Sequence, residues 1–301
     1  MVSGRCPICG SPPLETTPIS GPDRFQGTPG TFSVAVCSSC GTGWTLPTVP
    51  AAELAAYYPP SYGYLNAGAA QRRIQRTLMD RALRQPPLNA ITDATPGTLL
   101  DVGCGRGDLG AAFVRRGWRV SGVEPSPEAC AVARGQGVKA HEGTLDSVDL
   151  ADGSFDAIVM RHSLEHVPDP VADLGRVFGL SRPGGVVVIS LPNFDSWERR
   201  RFGGAWFHLD LPRHRTHFTP QSLRLALSKS GFGVVSMETS GDAGSLLATL
   251  QYRLAGRLFS RRVPALWAQY GLGTLIAPLR AVLDRQRGGG PFLHAVARRP
   301  T

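Results

Sequence analysis

Lysine is almost absent from this chain. Lys139 and Lys229 are the only two among 32 lysines and arginines. The formal charge of +9 is therefore a weak sign of a nucleic-acid partner, because so lopsided a ratio reads as a composition bias and not as a binding surface. The one tight run, Arg199-Arg200-Arg201, reads as a solvated helix face, with a clamp for an anionic substrate as the alternative. A leader is missing too: "MVSGRCPICG" has no apolar core, so no secretory signal is expected and the expected location is cytoplasmic. No window supplies the roughly 20 apolar residues of a membrane span. The nearest, "VPALWAQYGLGTLIAPL" at 263–279, is uncharged but holds two prolines and two glycines. It reads as a packed helical insertion, with membrane-surface contact through 257–280 as the alternative. There is no internal repeat. With 42% hydrophobic and 18% charged residues over 301 positions, disorder is excluded, and a full core with a smaller appended module is affordable in length.

Four of the six cysteines fall in two knuckles, Cys6-Pro-Ile-Cys9-Gly and Cys37-Ser-Ser-Cys40-Gly. A Cys-x-x-Cys turn brings two thiolates to one ion, and the glycine that follows lets the backbone curl around the sulfurs. Two such turns make a tetrahedral four-sulfur site suited to zinc. Disulfides do not fit a chain without an export signal, and a redox dithiol needs only one pair. With all four positions filled by Cys6, Cys9, Cys37 and Cys40 the ion has no open site, so the zinc is expected to be structural. Cys104 and Cys130 read as small buried residues.

Residues 1–48 thus form a zinc ribbon and 49–96 a connector with an arginine-rich amphipathic helix at 71–84. Residues 97–301 form one α/β domain with a helical insertion at about 241–289. Strand and helix signals alternate from "TLLDV" to "GVVSMET", which predicts a doubly wound, Rossmann-like, mostly parallel sheet. "PFLHAVARR" is again strand-like. If it rejoins the sheet as an antiparallel last strand, 241–289 lies between the final two strands.

The first loop of that sheet reads "DVGCGRGD", residues 101–108. A dinucleotide fingerprint needs a third glycine where this chain has Asp108, and a carboxylate at the helix N-terminus opposes a pyrophosphate. No Gly-Lys-Ser/Thr follows, which removes the phosphate-loop reading as well. A ligand with a ribose, no phosphate and a cationic amino-acid arm fits better. Asp101 can accept from an ammonium, Gly103 and Gly105 allow close approach, and Glu124 ends the second strand at the distance of a ribose-binding acid. That describes S-adenosylmethionine.

"LLDVGCGRGDLG", "VSGVEPS", "GTLDSVDLADGSFDAIVMRHSLEHVPDP" and "LSRPGGVVVISLPN" resemble successive motifs of the class I S-adenosylmethionine-dependent methyltransferases, over about residues 95–240. The ribbon followed by "AYYPPSYGY" resembles a bacterial subgroup linked to methylation of sugars, glycans or secondary metabolites. The resemblance implies Asp101, Gly103 and Gly105 around the methionine part, and Glu124 with Pro125 at the ribose. It implies Thr144, Leu145 or Asp146 beside the adenine, and Arg161 with the residues after the fourth strand near the sulfonium.

Five of the seven histidines lie in two windows, His162 and His166 after the fourth strand and His208, His214 and His217 after the fifth. His162 is the first choice for a base or acceptor-positioning residue, with Glu165 and His166 in support. Asp210, Arg213 and His214 of "WFHLDLPRHRTHF" are expected to hydrogen-bond a polyhydroxylated acceptor. The same histidines can instead tie loops together, and a second metal shared by both windows is the weaker reading. "HSLEH" also matches the H-x-x-E-H of inverted zinc proteases, but that chemistry needs the histidines on one helical face. The stretch here leaves a strand and runs into "VPDP".

The expected partner is a small-molecule or glycan acceptor methylated on oxygen, with C-methylation of a nucleotide-linked keto sugar as the alternative. RNA-base methylation is disfavoured by Met160-Arg161-His162-Ser163 in place of an Asn/Asp-Pro-Pro-Tyr-like turn, so no nucleic acid is expected. A non-catalytic cofactor-binding module is the remaining reading. The sequence does not specify the oligomeric state.

Overall fold

The computed structural model describes residues 4–16, 19–58, 76–77, 79–241, 243–258, 280 and 282–301. Most of the 257–280 stretch and part of the 71–84 helix lie outside them. Among the described residues no helix is long and apolar enough to cross a membrane.

Seven strands make the main sheet: β4 (Thr98–Val102), β5 (Arg119–Glu124), β6 (Lys139–Glu142), β7 (Phe155–Arg161), β8 (Ser181–Pro192), β10 (Gly233–Ser240) and β11 (Phe292–Arg298). Their order is β10-β11-β8-β7-β4-β5-β6. β6, β5, β4, β7 and β8 run parallel to one another, and β11 runs antiparallel to both β8 and β10. The strand-like C-terminal segment therefore does rejoin the sheet, between β8 and β10. The fold is the Rossmann-like α/β class with an antiparallel last strand and an N-terminal cysteine cluster.

Both faces of the sheet are covered, so neighbouring strand residues go to different cores. Leu100, Val102, Ile158, Met160, Val187 and Ile189 face one core, while Leu99, Val120, Ala157, Val159, Val186 and Val188 face the other. Helices α1 (Asp108–Val114) and α2 (Pro127–Gly135) cover the second face; α3 (Pro170–Leu180) and α4 (Pro220–Lys229) cover the first. Three helices start alike. Ser126, Asp169 and Thr219 accept hydrogen bonds from backbone N–H groups of the first turn, and each precedes a proline at the first helical position. A side-chain cap of this kind contributes about 1 kcal/mol.

The ribbon contributes β1 (Ile19–Gly21), β2 (Phe32–Val36) and β3 (Gly43–Leu46), paired antiparallel in that order. A fourth strand, β9 (Thr216–His217), comes from the loop after β8 and pairs with β3, Gly43 opposite His217 and Trp44 opposite Thr216. Cys6, Ile8, Cys37, Cys40 and Trp44 belong to the same apolar cluster as Phe218 and Leu223 of the main domain. A helix, Ala243–Ala255, follows β10.

Candidate active site at the carboxyl ends of the parallel strands

β4 and β7 are neighbours whose outgoing chains lead to opposite sides, to β5 and to β8, and such a switch point is where a sheet of this kind binds its ligand. The loop after β4 is held against β5: Gly103 and Cys104 both donate to the Val123 carbonyl, at 2.8 and 3.1 Å. Gly103 has φ +75°, and a Cβ there would stand 2.8 Å from that of Ser163, so only glycine lets the loops after β4 and β7 meet. Glu124, at the end of β5, accepts from Gly105 N through Oε2 and from Ser126 N through Oε1, both at 3.0 Å. The acid thus shapes the glycine loop while standing at its rim.

Asp101 is buried, and among the described residues its Oδ2 has no hydrogen-bond partner. Burial, reinforced by the nearby charge of Glu124 and opposed by Arg161, pushes its carboxyl up to about 7. A buried carboxylate with an unused oxygen is a receptor for a cation. Thr144 and Asp146 are exposed beyond β6, whereas the Leu145 side chain packs into the core, leaving its backbone as the available surface. Pro125 and Arg161 are exposed at the ends of β5 and β7.

The chain leaving β7 is tightly constrained. His162 adopts φ +54°, a conformation that a residue with a Cβ seldom takes without a compensating constraint. Its N–H donates to the Ser190 carbonyl of β8 at 2.8 Å, and its ring stacks edge-on against Phe292. Its Nδ1 lies 3.4 Å from Glu165 Oε1. Leu164–His166 is a single 3₁₀ turn, too short to align a protease-type histidine pair along one helix face.

Glu165 is 1% exposed. Burial opposes its charge, but the His162 contact and attraction to His166, His214 and His162 whenever these carry a proton hold its carboxyl down at about 2. His166 is held neutral chiefly by burial, with its imidazolium lowered to about 4. Its Nδ1 lies 3.1 Å from the Arg213 carbonyl and 3.0 Å from the Tyr58 hydroxyl. The His214 ring stands edge-on to it at 4.7 Å. His214 Nδ1 meets the His208 carbonyl at 2.9 Å, and its Nε2 lies 3.8 Å from Asp210 Oδ2 and 4.0 Å from Glu165 Oε1. His162, Glu165, His166 and His214 therefore converge from two loops.

Arg213 departs from its expected role. It is fully buried, gripping Asp210 through Nε and Nη2, Asp23 of the ribbon through Nη1 and Nη2, and the Tyr57 carbonyl. Its guanidinium holds the loop to the ribbon and is closed to an acceptor. His217 is tied down as well, its Nε2 3.0 Å from Thr45 Oγ1, and burial keeps it neutral, lowered to about 3. Asp23, Thr45 and Tyr58 are participants that the sequence did not single out. The only hint was the tyrosine-rich connector, which does not say which tyrosine turns inward.

In the ribbon, the Cys6 and Cys40 sulfurs lie 3.5 Å apart and those of Cys9 and Cys37 3.3 Å, all four being free thiols within 4.8 Å of one another. Backbone N–H groups of Ile8, Cys9, Ser39 and Cys40 point at Cys6 and Cys37 Sγ at 3.4–3.5 Å. Four sulfurs in such a cradle match the donor set of a closed zinc site.

A family model described as a methyltransferase domain matches residues 70–237. The chain belongs to that family. An S-adenosylmethionine-dependent methyltransferase of Archaeoglobus fulgidus superposes with a TM-score of 0.51 at 22% identity, over 74% of this chain and 94% of that one, which shows the shared fold. An uncharacterized methyltransferase of Mycobacterium sp. (strain JLS) is 44% identical over 108 residues, 34% of this chain and 42% of its own length. A ubiquinone biosynthesis O-methyltransferase of Xanthomonas campestris pv. campestris (strain B100) is 41% identical over 108 residues, 33% of this chain and 45% of its own. The chain spans less than half the length of these curated relatives. Its central domain is a methyltransferase domain of the class I, S-adenosylmethionine-dependent kind.

Proposed function

We propose that the protein methylates a hydroxyl oxygen of a sugar, glycan or secondary metabolite with S-adenosylmethionine as donor. The observation that carries this reading is the His162–Glu165 pair at the end of β7, a ring held at 3.4 Å by a buried, ionised carboxylate beside the glycine loop. An alcohol is a weak nucleophile at neutral pH and needs such a base. The O-methyltransferase name carried by the 41% identical relative supports the same oxygen chemistry.

The bound cofactor supplies a methyl group already activated on a sulfonium. Asp101 would hold its ammonium, Glu124 its ribose hydroxyls, Gly103 and Gly105 its close approach, and Thr144, Leu145 and Asp146 the adenine edge. Pro125 and Arg161 border that space. His162 takes the acceptor proton and Glu165 keeps the imidazolium so formed in place. His166 and His214 flank Glu165, His214 Nε2 lying 4.0 Å from Oε1. Holding the acceptor in line is worth about 7–11 kcal/mol, and the base adds about 10²–10⁴-fold. The ribbon carries a structural zinc on Cys6, Cys9, Cys37 and Cys40, and residues 1–48, 49–96 and 97–301 divide the chain into ribbon, connector and catalytic domain.

The test is transfer of labelled methyl from S-adenosylmethionine into an extract of source cells lacking the gene, split into lipid, polysaccharide, RNA, protein and small-molecule fractions. Asp101→Ala protein is the blank. Base-stable label in the polysaccharide, lipid or small-molecule fraction supports the reading; label in RNA, or label on carbon, overturns it.

A further inference from the structure

Glu165 poses a problem that hydrogen bonding does not solve. It is 1% exposed, and among the described residues neither carboxylate oxygen has a hydrogen-bond partner. A buried charge in that condition is costly unless something neutralises it. Its polar neighbours are His162 Nδ1 at 3.4 Å and His214 Nε2 at 4.0 Å, both beyond a normal bond.

The surrounding rings are oriented by backbone carbonyls. His214 Nδ1 faces the His208 carbonyl at 2.9 Å; a carbonyl only accepts, so this Nδ1 carries a proton, and Nε2 is turned toward Glu165 and Asp210. His166 Nδ1 lies between the Arg213 carbonyl at 3.1 Å and the Tyr58 hydroxyl at 3.0 Å. An outer hydrogen bond from one ring nitrogen to a backbone carbonyl is how metal-binding histidines are oriented. One donor atom each from Glu165, His166 and His214 lies within 4.8 Å of the other two. An anion and two imidazoles that converge, with Asp210 Oδ2 also 3.8 Å from His214 Nε2, are the electrostatic complement of a cation.

We propose that Glu165, His166 and His214 bind a divalent transition-metal ion, of the zinc or manganese class. Two imidazoles and one carboxylate suit such ions. Three protein ligands leave coordination positions open, in contrast to the closed cysteine site. The ion's use rests on the O-methylation reading. An acceptor hydroxyl bound there forms a metal–oxygen bond and loses its proton more readily. The O–H bond breaks and the proton passes to His162 Nε2, the nitrogen turned away from Glu165.

The site is tested without any methyl transfer. Full-length protein holding one equivalent of zinc, which the tetrathiolate site takes, is titrated with Co²⁺ and followed by calorimetry and visible absorption. The expected result is one further equivalent, with weak d–d bands and no thiolate charge-transfer band. Glu165→Gln and His214→Asn should each weaken it by at least the roughly 10–100-fold that loss of a mere outer-shell partner costs. Both variants should bind S-adenosylmethionine like the parent, which reports that they are folded; if His214→Asn does not, the near-isosteric Glu165→Gln carries the comparison. Absence of a second equivalent, equal affinity in the variants, or a thiolate-type spectrum overturns the site. A second equivalent in a protein that methylates no hydroxyl leaves the metal site standing and removes the O-methylation reading; hydroxyl methylation with no second equivalent does the reverse.

Discussion

Thr45 of the ribbon donates its hydroxyl to the backbone carbonyl of His214 at 2.6 Å. The same oxygen sits 3.0 Å from His217 Nε2, and β3 pairs with β9 immediately beside it. Thr219 Oγ1 donates to the Cys40 carbonyl at 3.2 Å, so the second cysteine knuckle is tied to the start of α4. The ribbon is therefore bonded to the loop that carries His214 and to the start of α4, not an appendage.

Loss of the ribbon metal should be felt at the acceptor and not at the cofactor. Cys37→Ser, or chelation of the zinc proposed for the ribbon, is expected to free β3 and with it the His214 loop. A misplacement of about 1 Å costs a reaction on the order of 10²-fold. Methyl transfer should fall by about that factor, while S-adenosylmethionine binding, built from the loops after β4 and β5, stays near its parent value. Calorimetry and turnover on the same zinc-depleted sample check this, and equal loss of both would show that the ribbon supports the whole fold.

His162 should matter for turnover and not for cofactor affinity. His162→Ala removes the ring that stands against Glu165 and Phe292, and an expected drop of about 10²–10⁴-fold in kcat follows from loss of a general base. Replacing His162 also removes a residue at φ +54°, so a glycine there relieves strain. His162→Gly should be at least as heat-stable as His162→Ala and as inactive. A His162→Gly enzyme that keeps its rate would rule out the imidazole as base.

The parallel sheet, its seven strands and the rejoining C-terminal strand were legible because short continuous apolar runs and Ser/Asp/Thr-Pro helix starts are local signals. The glycine loop and Glu124 were legible because their spacing is set by one strand–loop–helix–strand unit. What could not be read was long-range. β9 is two residues long and owes its existence to β3, about 170 residues earlier in the chain. Arg213 looked like an acceptor ligand because nothing in "WFHLDLPRHRTHF" announces Asp23 as its partner. The two histidine windows were visible, but Glu165 as the point between them was not, since a 3₁₀ turn places its side chain inward against the surface expectation for an acid.

Arg213 should behave as a structural ion. Its guanidinium is fully buried between Asp23 and Asp210, and its charge is held by both. Arg213→Met leaves two acids buried without their cation, a change that costs about 3–5 kcal/mol. Thermal unfolding should show the loss directly. The double variant with Asp23→Asn should recover part of it, because one of the stranded charges is then gone. An acceptor-binding arginine would instead raise KM with stability unchanged.

Asp101 sets an expected pH dependence. Burial raises its carboxyl from the usual 3.8 to about 7, so between those values the folded apo-protein keeps a proton that the unfolded chain releases. Its contribution to apo stability is therefore fully present below pH 3.8 and is lost as pH rises through about 7. The cofactor's ammonium favours the ionised form, which reverses the sign for binding. S-adenosylmethionine affinity should fall about tenfold for each pH unit below about 7, level off above it, and be accompanied by release of up to one proton at the acid end. Calorimetry between pH 5.5 and 8.5, in buffers of different ionisation enthalpy, reads both quantities. Asp101→Asn should bind weakly with a flat profile. A parent protein that binds equally well across the range would mean that Asp101 meets the cofactor already ionised, or not at all, and the variant's affinity separates those two cases.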